Sequence, residues 1–153
     1  MPAKPLSAIA SAATFTLSLQ AHALAGVVIS GDYYEQASTF VACQSANYCR
    51  VDLDRIPADK LLDVQHVNCY VQSSQAIRTA GMGSSSASGG STARFIYFPF
   101  QINATGGGNY YYLVNEPVNY RIGASPYLFF AVETFASAQI GVSCIATGRL
   151  SPR

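Results

Sequence analysis

The stretch KLLDVQHVNCYV, Lys60 to Val71, limits the possible folds more than any other. Leu62 and Val64 keep a period of two, and the apolar set then resumes at Val67, Cys69 and Val71, one residue out of phase. Period two puts alternate side chains on one face of a strand, and no helix sustains that spacing. One extra residue near Gln65 and His66, a β-bulge, restores the register. The same pattern recurs along the chain as short runs rich in Val, Ile, Phe and Tyr, bounded by Gly, Pro, Ser and Asn. About nine runs are expected: Val27 to Tyr34, Arg50 to Leu53, Leu61 to Val71, Ala76 to Met82, Ala93 to Asn103, Tyr110 to Val114, Val118 to Ile122, Tyr127 to Phe135 and Ala138 to Leu150. No segment carries a helical period with caps. The expected fold is all-β, an antiparallel β-sandwich or jelly roll of eight or nine strands.

Alternation also assigns faces. Ile96, Phe98, Phe100 and Ile102 are expected inward and Phe95, Tyr97 and Gln101 outward, with Pro99 marking an edge or a bulge. Ile140, Val142, Cys144 and Ala146 share another inward face. Cys69 and Cys144 are thus both carried into the core, while Cys43 and Cys49 flank the turn-like CQSANYC. The expected disulfides are therefore Cys69 with Cys144 and Cys43 with Cys49. The spacing lacks the close C-x2-C pairs of a thiolate metal site, so no metal is expected.

The segment Met1 to Ala25 reads as a secretory signal peptide. Lys4 is a small positive head, Leu6 to Leu19 an apolar stretch, and Ala23-Leu24-Ala25 a small-x-small cleavage site before Gly26. Gln20 and His22 interrupt the stretch, which argues against a membrane anchor. Val27 stands where a lipoprotein would need a cysteine. The expected mature chain is one domain, residues 26–153, secreted or periplasmic, and its even cysteine count suits that compartment. Removing Lys4 balances the remaining Lys and Arg against the eight Asp and Glu. A neutral chain with 11% charged residues has no basic stripe for nucleic acid, and no further apolar run spans a membrane.

The segments RIPADKLLDVQHVNCYV, YYYLVNEPV and VSCIATGRL resemble small exported bacterial β-sandwich proteins of uncharacterised function. The resemblance covers roughly Arg55 to Leu150. It implies the fold and export and brings no activity with it.

Candidate chemistry is sparse. His66 is the one histidine after residue 25, no G-x-S-x-G elbow accompanies it, and a structural role is the simpler reading. Asp52 and Asp54 share a strand face, with Asp59 and Asp63 close by. They suit either a calcium site or a solvated face neutralised by Arg50, Arg55 and Lys60. Glu116 and Glu133 are the glutamates available as a glycosidase pair. GMGSSSASGGS, Gly81 to Ser91, reads as a mobile loop without the lysine of a phosphate cradle, and ATGGGN as a hairpin connection. GNYYYLVNEPVNY supplies the candidate ligand-binding residues Tyr110, Tyr111, Tyr112 and Tyr120. Tyrosine suits recognition, but it also favours strands, and the chain lacks the tryptophan that sugar stacking favours.

Three classes of function remain: a non-catalytic binding module for a glycan or an envelope protein, a structural or assembly module that exchanges strands, and a hydrolase using His66 or a carboxylate pair. The first is preferred, with no cofactor expected.

Overall fold

The computed structural model describes residues 26–123 and 126–153. The expected signal peptide, residues 1–25, lies outside the described residues. Nine strands are present among the described residues: β1 Val27–Ser30, β2 Tyr33–Ala37, β3 Val41–Arg55, β4 Lys60–Ser73, β5 Ile77–Ser85, β6 Thr92–Tyr97, β7 Gln101–Gly106, β8 Asn109–Ile122 and β9 Tyr127–Pro152. Every pairing is antiparallel. The expected all-β class holds.

β9, 26 residues long, organises the architecture. Its C-terminal part lies between β2 and β4, in the order β1-β2-β9-β4-β8-β7. Its N-terminal part lies between β3 and β5, and β6 joins β5. The sheet therefore bends around a corner at residues 135–139 and folds into two facing layers. Bonds cross between them. Tyr120 of β8 donates to the carbonyl of Arg94 at 3.1 Å, and its hydroxyl lies 3.2 Å from Ser84 Oγ. Apolar side chains from both layers, among them Val51, Leu53, Val67, Val71, Met82, Val114, Phe130 and Val142, fill the space between.

The bulge expected near Gln65 and His66 is present: β4 shifts register between Val64 and His66 against both neighbours. Gly148 opposes Val64 there, and a Cβ on it would stand 2.2 Å from the Asp63 carbonyl oxygen. Only glycine admits the two backbones this close. Both expected disulfides are formed. Cys69 and Cys144 are direct register partners in the core, with Cα atoms 4.1 Å apart. Cys43 and Cys49 sit on the same strand, β3, opposite Ile140 and Val132, so this bond clamps the bend of β3 at the corner. Ser45 between them takes a positive φ of 50°. Two disulfides fit an oxidising compartment. No helix among the described residues is long and apolar enough to cross a membrane.

Several boundaries differ from expectation. Tyr110 to Val114 and Val118 to Ile122 are one strand, because Pro117 falls at a ladder irregularity opposite His66, where a missing N–H disturbs least. The runs on either side of Ala136 and Ser137 are likewise one strand, β9, carried through the corner. Arg50 to Leu53 is the end of a strand that begins at Val41 and includes the turn-like CQSANYC. The first expected run divides into a hairpin at Gly31-Asp32, and Ala93 to Asn103 divides at Pro99. Ile102, expected inward, is 56% exposed because it lies beyond that break on the edge strand β7.

The largest correction concerns GMGSSSASGGS. Gly81 to Ser85 is buried strand, not loop. The small residues leave space that neighbouring rings take up: Phe95 lies across Gly81, and Phe129 across Gly83. The remainder is also fastened. Arg50 donates to the Gly90 carbonyl at 2.6 Å and to Ser85 Oγ at 2.7 Å, and Asp52 accepts from the Gly89 N–H at 3.1 Å. The ATGGGN hairpin is present, with Gly107 and Gly108 both at positive φ as a tight two-residue turn demands.

Candidate functional site

The four candidate tyrosines separate. Tyr112 and Tyr120 are 2% and 1% exposed, so both face the core and are removed from the surface. Tyr112 accepts a hydrogen bond from the Ile77 N–H, and Tyr120 joins the two layers. Tyr110 is half-buried with its ring 6.4 Å from that of Tyr112. Of the four, Tyr111 alone points to the outer face of the first layer, 6.4 Å from Tyr70.

That outer face has a regular plan. On β4, His66, Asn68, Tyr70 and Gln72 form a column, flanked by Pro117, Asn115, Leu113 and Tyr111 of β8 and by Thr147, Ile145, Ser143 and Gly141 of β9. Tyr70 is 40% exposed, Leu113 50% and Ile145 39%. Together they form an apolar centre over a shallow depression of about 360 Å³. Amides of Asn68 and Asn115 rim it, and the Arg121–Asp63 and Arg149–Asp32 pairs close one end. The Arg121 guanidinium holds the Asp63 carboxyl below its ordinary value. His66 lies on this face with Nε2 2.5 Å from Asn115 Oδ1. That contact engages the ring with an amide and brings no nucleophile to it.

The carboxylates do not converge. Asp52 accepts two bonds from Arg50, Asp59 lies 3.7 Å from Lys60, and Asp63 pairs with Arg121. Burial, aided by the charge of exposed Asp54 on β3, pushes the Tyr34 phenol far above its ordinary value. Among the described residues no three His, Cys, Asp or Glu gather as metal ligands. Glu116 falls on the inward register of β8 beside Val114 and Val118, whereas Glu133 opens onto the outer face of the second layer. The layer itself separates them, so the two acids do not flank a common cleft.

A second surface has no local signal in the sequence. On the outside of the second layer, Tyr48 of β3, Glu133 and Ala131 of β9, Thr79 of β5, and Phe95 and Tyr97 of β6 line a groove of about 290 Å³. Tyr48 opposes Glu133, and Glu133 opposes Thr79. A register shift between Ile77 and Thr79 aims two consecutive residues at the same carboxylate. Arg78 donates to Glu133 Oε1 and Thr79 to Oε2, each at 3.3 Å. Phe95 and Tyr97 meet edge to face, with centroids 5.1 Å apart. Burial raises the Tyr48 phenol above its ordinary value; Arg50 opposes this, and Asp52 and Glu133 add to it. Tyr48 therefore keeps its hydroxyl proton at neutral pH and can donate.

No family model matches the chain, and no curated protein matches it.

Proposed function

We propose that this chain is an exported, non-catalytic interaction module that docks a protein partner on the outer face of β9, β4 and β8. One observation carries the reading: Tyr70, Leu113 and Ile145, each 39% exposed or more, cluster on one face, Tyr70 directly opposite Leu113 and Ile145 one pair along opposite Asn68, with charged pairs only at one end. A contiguous exposed apolar patch rimmed by polar groups is the anatomy of a protein interface, with aromatic and apolar residues at the centre and amides at the margin. The lining of the depression is mainly apolar, which suits the centre of a protein interface. Export is supported by the two disulfides and by the expected leader. The pairing of His66 with an amide and the separation of Glu116 from Glu133 support a non-catalytic role.

The test is a photo-crosslinking amino acid at Leu113 in the secreting cell, with a second at Phe135, which is exposed at the corner and away from this face. A discrete adduct is expected from Leu113 and not from Phe135, and it should vanish when Tyr70→Ser and Ile145→Asp are added. Equal labelling from both positions refutes the reading. An adduct with a second copy of the chain favours the assembly role instead, for which exposed Val27, Val28 and Ile29 on the edge strand β1 offer a surface.

A further inference from the structure

We infer that the groove on the opposite layer is a second, independent site, and that it takes a neutral saccharide. Tyr48 and Tyr97 stand on β3 and β6 with β9 and β5 between them. Three strand spacings set them roughly 14 Å apart across the sheet, and an offset of two residues adds roughly 7 Å along it. The intervening strands present Ala131 and Gly81, which leave the floor low, and the Phe95 ring lies down over Gly81. The result is an aromatic floor with a tyrosine at each side. At 48% and 71% exposure the two tyrosine rings are far from buried, so the sheet does not need them for packing.

The polar groups select the ligand class. Glu133 is paired with Arg78, and Arg50 at the border is paired with Asp52. With each charge already matched, the groove offers no net charge to an ion: a cation meets two guanidiniums, and an anion meets Glu133. What it offers is hydrogen bonding. A carboxylate has about four lone-pair positions. Arg78 and Thr79 occupy two of those on Glu133, and their grip fixes its orientation. Tyr48 and Thr79 are its register partners on either side. Acceptors for hydroxyl protons next to flat aromatic faces match a pyranose with equatorial hydroxyls, whose axial C–H groups present apolar faces while its hydroxyls point outward. The groove encloses about 290 Å³. That is near the lower end of small-ligand clefts, roughly 300 Å³ and upward, and it suits a short sugar segment.

The test is calorimetric titration of the full chain with cellopentaose and with chitopentaose, with chemical-shift mapping as a second measurement and tetramethylammonium chloride as the cation probe. A Kd of about 0.1 to 1 mM is expected for at least one sugar, with shifts confined to Tyr48, Thr79, Phe95, Tyr97 and Glu133. Tyr48→Ala and Tyr97→Ala should each weaken it about tenfold and Glu133→Gln about fivefold, with thermal midpoints unchanged, while Phe135→Ser leaves it alone. The inference is overturned if neither sugar binds at about 10 mM, if binding survives both tyrosine replacements, or if tetramethylammonium binds in the groove. Because the probes and residues differ from those of the β4 face, neither outcome bears on the protein-docking proposal.

Discussion

Replacing Cys69 and Cys144 together should reveal how much of the stability resides in the unfolded chain. The bond joins residues 75 apart in sequence that already oppose each other in the β4–β9 ladder. In the native state that ladder holds them together without the bond, so the principal effect of removal is to free the unfolded chain. For a closed loop of this length the chain-entropy relation gives about 4.5 kcal/mol at about 25 °C. The Cys43–Cys49 bond has a sequence separation of 6. For so short a loop the same relation gives about 2 kcal/mol. A packing loss adds to the first value, since both cysteines are buried in the core and line a small internal space with Val71, Phe98 and Phe130. Cys69→Val with Cys144→Ala restores most of that volume and isolates the entropic part. The assay is urea unfolding by linear extrapolation under non-reducing conditions, beside the Cys43→Ala/Cys49→Ala pair. Out of about 5–15 kcal/mol for a typical domain, a loss of about 4 kcal/mol leaves the long-loop variant marginal and the short-loop variant folded. Stopped-flow mixing should place most of the loss in slower folding, with unfolding little changed. A loss below about 1 kcal/mol, or one equal to that of the local pair, refutes the assignment of the effect to loop closure.

The close approach at the bulge predicts that Gly148→Ala costs about 2 kcal/mol by overpacking, read from the urea midpoint, although alanine is among the mildest replacements elsewhere. Arg50 grips Ser85, Gly90 and Asp52, and its guanidinium lies 3.7 Å from the Phe129 ring centre. Arg50→Ala should therefore cost about 2 kcal/mol and open residues 86–91 to limited proteolysis. Asp63 has a folded pKa below its unfolded one, so its contribution is present above the unfolded value and fades as pH falls through the folded value. Asp63→Asn should flatten the acid limb of the stability profile, below the ordinary carboxylate range, and only slightly, because Arg121 is exposed and water screens the pair.

What is legible in the sequence follows from period two. Alternation places Val64, Val67, Cys69 and Val71 inward, and likewise Ile140, Val142, Cys144 and Ala146, and all are buried. The bulge and the Cys69–Cys144 bond come from the same count, whereas the Cys43–Cys49 bond is read from a turn-like segment that is in fact strand. Continuity is harder to read: Pro117 and Ala136-Ser137 look like breaks, and only their partners show that β8 and β9 pass through them. The groove is illegible for a related reason. Tyr48 lies in a segment that reads as a turn, Glu133 reads only as an acid, and Tyr97 only as an outward-facing strand residue. Their conjunction depends on the order β3, β9, β5, β6, which no local pattern encodes.

Glycine facing an aromatic ring links the packing to the groove. Gly81 lies under Phe95, Gly83 under Phe129 and Gly141 under Phe40, with ring atoms less than 3.0 Å from where a Cβ would stand. A glycine in a strand lacks a side chain to pack and is costly there. A ring laid across the bare backbone recovers the contact and shields the ladder beneath it. This is why a Gly- and Ser-rich segment with little β-propensity of its own is a buried strand: Phe95 and Phe129 supply the apolar surface it lacks. It also explains how an aromatic surface forms without tryptophan. Phe95 lies across the bare Gly81 backbone, the Tyr97 ring stands at 70° to it, and Tyr48 is exposed on the far side, beyond β9 and β5. A Cβ at position 81 would stand 2.2 Å from the Ile96 carbonyl oxygen and 2.4 Å from the Phe95 ring, so any side chain there would part β5 from β6 and displace Phe95 at once; the bare backbone that lets the two strands pair is the same one that seats the ring on the groove floor.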